Sequence, residues 1–210
     1  MRDKYQEDLE KLNANILKMG KMIEIAIESS VLALMGRDIQ QAATVSENDE
    51  AIDNMEREIE GLCMKLLLQQ QPVATDLRVI TAALKMVTDM ERIGDHASDI
   101  AELVLQIPDC KYNKMDTITE ISTQIINMIH KSIKSFINRN YDMAQVVIAQ
   151  DDIVDNLYHE IKTDLIQKIK KTDDGEQILD YLLIARYFER IGDHATNIAK
   201  WVVFAITGKK

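Results

Sequence analysis

The stretch Glu91-Arg92-Ile93-Gly94-Asp95-His96-Ala97 occurs twice, because the same seven residues return at positions 189–195. A second pair of similar segments, 48–54 and 150–156, lies upstream of the two copies. Matching segments that recur in the same order, here 98 and 102 positions later, are the signature of an internal repeat. The sequence therefore indicates a duplicated unit in which both copies kept the same chemical groups.

The composition favours helices over strands. Apolar residues make up 46% of the 210 positions, whereas the chain has only 7 Gly, 2 Pro and 5% aromatic residues. Sheet proteins need more turns and more β-branched or aromatic side chains. From Leu9 to Val31, apolar residues recur every three or four positions, which is typical of an amphipathic helix. We therefore predict an all-α fold.

Turn signals divide the chain into six long helices, with breaks at 36–38, 71–72, 107–113, 138–140 and 172–175. The segment 107–113 resembles a linker and separates the two copies of the repeat. Three antiparallel helices joined by short turns form a bundle. We expect two tandem three-helix bundles related by internal duplication, at residues 1–107 and 114–210.

The charge balance excludes some partners. The formal net charge is −10, which argues against a nucleic acid or an anionic membrane as the main partner. No apolar run approaches the ~20 residues of a membrane span, so no membrane insertion is expected.

Cys63 and Cys110 lack metal-ligand spacing and fit reduced thiols. We expect a cytoplasmic protein.

Each repeat carries two acidic pairs spaced four residues apart. The pairs are Asp49 with Asp53 and Glu91 with Asp95 in the first repeat, and Asp151 with Asp155 and Glu189 with Asp193 in the second. This spacing puts both carboxylates of a pair on one exposed helix stripe. Antiparallel neighbouring helices would bring the pairs together, and oxygen ligands suit Mg²⁺, Ca²⁺, Mn²⁺ or iron. The sequence predicts one metal site per repeat.

The predicted sites differ at one position, because Asp99 extends the first acidic stripe and Asn197 stands in its place in the second. A neutral amide is a weaker ligand, so the two sites are expected to differ in occupancy or nuclearity. His96 and His194 border the stripes and could add a nitrogen ligand, although a surface or rim position is favoured. With ordinary carboxylate pKa values, metal should leave below pH ~4.

Two residues inside the repeated motif predict helix packing. A glycine in the middle of a helix, as at Gly94 and Gly192, costs about 1 kcal/mol relative to alanine. Its retention in both copies predicts close approach of a neighbouring helix. Arg92 and Arg190 directly follow a glutamate that they cannot reach across the helix face. We expect them to pair with carboxylates of a neighbouring helix.

No enzyme is predicted. The chain lacks a glycine-rich phosphate loop, a nucleophile with its base and the Glu-x-x-His pair of di-iron bundles. Two alternatives remain beside a regulatory metal-binding protein. One is a helical metalloprotein with a storage or catalytic role. The other is a purely structural dimerisation module whose acidic stripes are solvated.

The chain resembles the PhoU family over nearly its whole length, through segments 48–53, 71–78, 91–96 and 189–198. The resemblance implies two tandem three-helix bundles. It also implies metal clusters, most often of iron or zinc, held once per bundle by the Glu/Asp-x-x-x-Asp pattern. By position, the ligands would be Glu91 and Asp95 in the first repeat and Glu189 and Asp193 in the second. The supporting residues would be Asp49, Asp53, Asp151 and Asp155.

The resemblance further implies a negative regulator of the phosphate-starvation response and of phosphate uptake. Such a regulator couples the ATP-binding subunit of a phosphate ABC transporter to a sensor histidine kinase. A homodimer is expected as well. Because the chain is acidic, phosphate status is expected to reach it through these partners and not through binding of the free anion.

Overall fold

The fold consists of six long helices. A computed structural model describes residues 2–69, 74–107, 115–170 and 175–209. The helices are α1 Arg2–Gly36, α2 Ile39–Gln69, α3 Ala74–Gln106, α4 Met115–Ile137, α5 Tyr141–Ile169 and α6 Gly175–Thr207. Those ranges contain no strand. The predicted all-α fold is confirmed, and the predicted helices match the observed ones to within a few residues.

The turns after α1 and α4 are equivalent and show the duplication in the backbone. An arginine with positive φ follows each of these helices, with φ 51° at Arg37 and 49° at Arg139. The next amides, of Asp38 and Asn140, donate to carbonyls five residues earlier, at 3.0 and 2.8 Å. This hydrogen bond closes a Schellman turn, whose positive-φ position is usually glycine. Both repeats therefore leave their first helix in the same way.

Consecutive helices run antiparallel. Asp8 near the start of α1 binds Lys65 near the end of α2 at 2.6 Å, and Asn15 further along α1 binds Glu58 at 3.1 Å. Helix α2 packs on α1 and α3, and α5 packs on α4 and α6. This arrangement forms a three-helix bundle in each repeat, as predicted.

The two bundles pack against each other through α3 with α6 and α1 with α4. One continuous group of buried apolar side chains runs through both repeats, from Leu12 in α1 to Ala205 in α6. Antiparallel contacts such as Glu24 with His130, at 3.3 Å, join α1 to α4. The repeats share a core, and independent folding of 1–107 and 114–210 stays a prediction.

The described helices also bear on membrane association. None of them combines the length and the apolar character that crossing a bilayer requires.

The mid-helix glycines mark close approaches, as predicted. A Cβ atom at Gly94 would lie 3.0 Å from two side-chain carbons of Ile52 on α2. A Cβ atom at Gly192 would lie 2.9 Å from the Cγ1 atom of Val154 on α5. Contacts this short force the neighbour to move. The glycines therefore allow α2 and α5 to lie directly against the motif-bearing helices.

Replacing Gly192 with valine should push α5 away from α6 and destabilise the fold by about 1–3 kcal/mol, the usual cost of overpacking. Gly61 in α2 is the matched control, because a Cβ atom there meets nothing within 4 Å. Gly61→Ala should stabilise the protein by about 0.5–1 kcal/mol through helix propensity. Urea unfolding of both variants measures the difference, and equal effects would contradict the packing role of Gly192.

Candidate metal centre

The first repeat brings three carboxylates together between α2 and α3. Asp53, Glu91 and Asp95 each offer an oxygen, and these oxygens all lie within 4.8 Å of one another. Their side chains are 39%, 17% and 30% exposed, respectively. The carboxylates thus lie half-buried in the groove between two helices. The stripe that was predicted to be exposed is therefore only partly exposed, because α2 packs close beside the acidic face of α3.

Burial and the charges of neighbouring carboxylates raise the pKa values of Asp49 and Glu91 in this groove. Burial, followed by the charges of Asp95 and Asp53, raises the pKa of Asp49 from 3.8 to about 6. Burial, followed by the charge of Asp95, raises the pKa of Glu91 from 4.5 to about 7. Protons therefore compete for the cluster near neutral pH. In the metal-free protein these two carboxyls therefore take up protons above pH 4. The expected loss of metal below pH ~4 stays a prediction.

Two arginines partly neutralise this first cluster. Arg92 lies 3.4 Å from Glu91 and 2.8 Å from Asp95, both on its own helix. Arg57 lies 3.5 Å from Asp53, four residues earlier on α2. The expectation that Arg92 pairs with another helix was wrong, because its side chain reaches Asp95 one turn further along α3. The same expectation for Arg190 stays a prediction. Both arginine side chains are mostly exposed, so solvent weakens these pairs.

The second repeat has the corresponding acidic residues, but different neighbouring groups affect their pKa values. Burial raises the pKa of Glu189, and the neighbouring carboxylates Asp193 and Asp155 add to this shift. Burial also raises the pKa of Asp151, which accepts a hydrogen bond from the Thr196 hydroxyl at 3.0 Å. In the described part of the chain, only the first repeat brings possible ligand atoms of three such side chains within 4.8 Å of one another.

The predicted ligands Asp99 and Asn197 lie at the contact between α3 and α6. Asp99 lies 3.2 Å from the Nδ1 atom of His96. Asn197 lies 3.5 Å from Asp89, whose carboxylate is also 2.8 Å from the Nδ1 atom of His194. Asp99 still contributes to the raised pKa of Asp49. Its role as a ligand, like that of Asn197, stays a prediction.

His96 is not at the rim. It is 5% exposed, and its ring lies 5.6 Å from that of His194 and 5.4 Å from that of Tyr187. Burial lowers the pKa of His96, and the nearby charge of Arg190 lowers it further. The two histidines therefore belong to a polar junction between the repeats. Asp89 was missed from the sequence because its counterpart in the second repeat is Tyr187.

The donor set in the first groove fits a metal cation. Three carboxylates within 4.8 Å repel one another unless a positive charge lies between them. In the second repeat, one oxygen of Glu189 pairs with Arg186 and the other is buried without a hydrogen-bond partner. All-oxygen donors match iron, Mn²⁺ or Mg²⁺ better than zinc, which more often takes nitrogen and sulfur.

The raised pKa values predict an unusual pH dependence of stability. Between pH values of about 4 and 7, folded Asp49 and Glu91 hold protons that the unfolded chain has released. Their contribution to stability therefore falls as pH rises through this window. Thermal unfolding of the metal-free protein between pH 8 and 5 should show a larger gain on acidification than the variant Asp49→Asn, Glu91→Gln. Parallel curves for the two proteins would contradict the raised values.

Comparison with known proteins agrees with this architecture. The PhoU domain family matches the chain twice, over residues 16–104 and 118–202. A protein of Clostridium acetobutylicum named phosphate-specific transport system accessory protein PhoU homolog is 38% identical, over 98% of this chain and 95% of its own length. A homolog of the same name from Synechocystis is 31% identical over 100% of this chain and 94% of its own.

Solved structures show the same fold. The crystal structure of PhoU from Pseudomonas aeruginosa matches with a TM-score of 0.92 and 32% identity, over 98% of this chain and 100% of that one. The phosphate transport system regulatory protein PhoU from Streptococcus pneumoniae matches with a TM-score of 0.92 and 25% identity, over 98% of each chain. The repeated motif, the paired bundles and these similarities lead to one conclusion: the chain belongs to the PhoU family.

Proposed function

We propose that this protein is a non-catalytic, metal-binding regulator of a phosphate transport system. The observation that carries the proposal is the half-buried cluster of Asp53, Glu91 and Asp95 in a member of the PhoU family. Relatives in this family are named accessory or regulatory proteins of phosphate transport. We extend that role to this chain, as a negative regulator of phosphate uptake and of the phosphate-starvation response.

The metal is proposed to have a structural role. Asp53, Glu91 and Asp95 would hold it in the first repeat, with Asp49 close by. The bound ion supplies positive charge. The ligands come from both α2 and α3, so their joint occupation fixes the two helices together. A cation that binds only the folded state stabilises it by mass action. Metal binding at the cluster would therefore also stabilise the packing of α2 on α3. Iron fits the donors best, with zinc, Mn²⁺, Mg²⁺ and Ca²⁺ as alternatives.

The regulator would act through protein partners in the cytoplasm. We propose the ATP-binding subunit of the transporter and a sensor histidine kinase as partners, with the protein itself a homodimer. The net charge of −10 disfavours capture of free phosphate by the surface as a whole. Long helices with exposed apolar side chains, such as Ile25 and Leu32 at 50% and 56%, offer packing surfaces for helices of a partner.

Metal binding can be tested with four substitutions at the clusters: Glu91→Gln, Asp95→Asn, Glu189→Gln and Asp193→Asn. The purified variant should retain little metal by elemental analysis. Without metal it should be more stable than the wild type, because like charges no longer repel. With metal at 100 times its Kd, the wild type should gain about 2.7 kcal/mol, and the variant should gain none.

A matched control replaces four exposed carboxylates elsewhere, by Glu10→Gln, Glu28→Gln, Glu120→Gln and Asp142→Asn. This control changes the net charge equally and should keep the metal. If the two variants hold the same amount of metal, the acidic clusters are solvated faces and the metal proposal fails.

Regulation can be tested in the native organism. Deleting the gene should switch on phosphate-starvation genes even in phosphate-rich medium, because the kinase would no longer receive the signal that phosphate is plentiful. Transcript levels at high phosphate measure this effect. Restoring the wild-type gene should restore repression. Normal repression in the deletion strain would overturn the regulatory role independently of whether the protein binds metal.

A further inference from the structure

A cavity of ≈ 380 Å³ lies between α1 and α2 at the surface of the first repeat, and we call it the first groove. Its walls are mainly apolar, with Met22, Ile25 and Ala26 on one side and Val45 and Ile52 on the other. Ligand sites in proteins usually measure roughly 300–1,000 Å³. The first groove is therefore large enough to receive a side chain of another molecule.

The corresponding space in the second repeat is closed by a side chain of the protein itself. Helices α1 and α2 correspond to α4 and α5 with an offset of 102 positions, so Ser29 and Asn48 correspond to Lys131 and Gln150. The ammonium of Lys131 donates a hydrogen bond to the amide oxygen of Gln150 at 3.2 Å, across the space between α4 and α5. A half-buried lysine thus covers this space from within the protein.

The first groove is open because its own residues are shorter. Ser29 has no ammonium that could reach across to α2, although Asn48 keeps an amide oxygen at the position of Gln150. Ala26, which lines the groove, stands where the second repeat has the buried side chain of Met128. The first repeat therefore keeps the hydrogen-bond acceptor for a lysine but lacks the lysine.

Exposed apolar side chains extend the first groove along α1 and onto the start of α2. Ile25, Leu32 and Met35 of α1 and Ile39 of α2 are 50%, 56%, 49% and 59% exposed, respectively. Ile25 and Leu32 lie seven residues apart, which is two helical turns or about 10 Å. A helix that packs into a groove places its anchoring side chains at this spacing. The apolar surface therefore fits a partner helix better than a small molecule.

The edges of the first groove carry unpaired acidic side chains. On α1, Glu28 lies one turn beyond Ile25. On α2, Glu47 lies one turn beyond Thr44, which also lines the cavity. Both glutamates are exposed, and neither forms an ion pair within the part of the chain that the structure describes. A positive charge on a docked molecule would find two carboxylates beside the apolar walls.

Basic residues near the first groove have acidic neighbours of their own. Lys21 forms an ion pair with Glu24 at 3.2 Å. A hydrogen bond from Asn15 lowers the pKa of Glu58, and the nearby charge of Lys18 contributes to this effect. These positive charges are therefore offset within the first repeat.

The first repeat as a whole also favours a basic partner. Residues 1–107 contain 20 acidic and 11 basic residues, so nine of the ten net negative charges belong to this repeat. In the turn after α1, the adjacent charges of Arg37 and Asp38 offset each other. Long-range attraction between oppositely charged surfaces speeds their association. The charge distribution therefore directs a basic partner toward the repeat that has the open groove.

We propose that the first groove docks a basic amphipathic helix of a protein partner. This inference rests on the regulatory function proposed above, and it names the surface through which the protein would act. An apolar side chain of the partner helix enters the cavity. A lysine of the same helix donates to Asn48 in the way that Lys131 donates to Gln150. Its charge is balanced by the unpaired carboxylates of Glu28 and Glu47.

The proposal is tested by closing the first groove with the residues of the second repeat, in the groove variant Ser29→Lys, Asn48→Gln. In the native organism, this variant should leave phosphate-starvation genes switched on in phosphate-rich medium, as deletion of the gene should. Normal repression by the variant, together with derepression in the deletion strain, would overturn the docking role and leave the regulatory role intact. Normal repression in the deletion strain would overturn the regulatory function, and the docking role with it.

Binding measurements test the contact directly, with the ATP-binding subunit of the transporter and the cytoplasmic part of the sensor kinase as probes. In calorimetry, the groove variant should bind at least one probe roughly tenfold or more weakly, as expected for loss of a central anchor. Glu28→Gln with Glu47→Gln should weaken the same complex and reduce its dependence on salt. Unchanged affinity of the groove variant for both probes, or no binding of either probe to the wild type, would overturn the proposal.

Controls separate the groove from net charge and from folding. Gln145→Lys adds one positive charge at an exposed position of the second repeat and should leave repression and affinity unchanged. A loss of affinity equal to that of the groove variant would show that charge alone decides, and would overturn the proposal. The groove variant should keep its helicity and its metal, and loss of metal would place the defect at the acidic cluster instead. If the groove variant does not fold, Ile25→Gln must give the same loss of affinity.

Other occupants of the first groove would give different results. If the groove joins two copies of this chain, the groove variant should change the oligomeric state in sedimentation experiments. If it holds a small organic molecule, native mass spectrometry of the wild type should show an added mass that the variant lacks. Either result would overturn docking of a partner helix, which requires the same oligomeric state in both proteins and no such mass.

Discussion

The close contact of α2 with α3 at Gly94 is the constraint on which the first cluster depends. Without a side chain at Gly94, Ile52 packs directly on the backbone of α3. That approach brings Asp53 of α2 beside Glu91 and Asp95 of α3. The same geometry recurs at Gly192 and Val154. Close helix packing thus brings carboxylates together, and their mutual repulsion is relieved when a positive charge lies beside them.

Both repeats place arginines beside their acidic residues while keeping the same fold. Arg186 pairs with Glu189 in the second repeat. In the first repeat Arg92 pairs with Glu91 and Asp95, and Arg57 pairs with Asp53. Burial and the charge of Asp95 nevertheless raise the pKa of Glu91 to about 7. Duplication explains the shared backbone of the two repeats.

The sequence predicted the helices and their packing contacts well, because the apolar spacing and the repeated glycine each have a direct structural meaning. It could not predict the half-buried state of Glu91 or the self-pairing of Arg92, which depend on the distance between α2 and α3. The burial of His96 was also hidden, because the contacts that bury it come from α6, nearly a hundred residues later. Side-chain burial and pairing of this kind depend on how the helices pack, so no short sequence pattern predicts them.

Anomalous X-ray diffraction from crystals grown with Mn²⁺ shows whether the first acidic cluster binds a cation, because it locates the ion without assuming its ligands. We expect a strong anomalous peak between α2 and α3, within bonding distance of Asp53, Glu91 and Asp95. A map without a peak at this cluster would overturn the proposed metal binding.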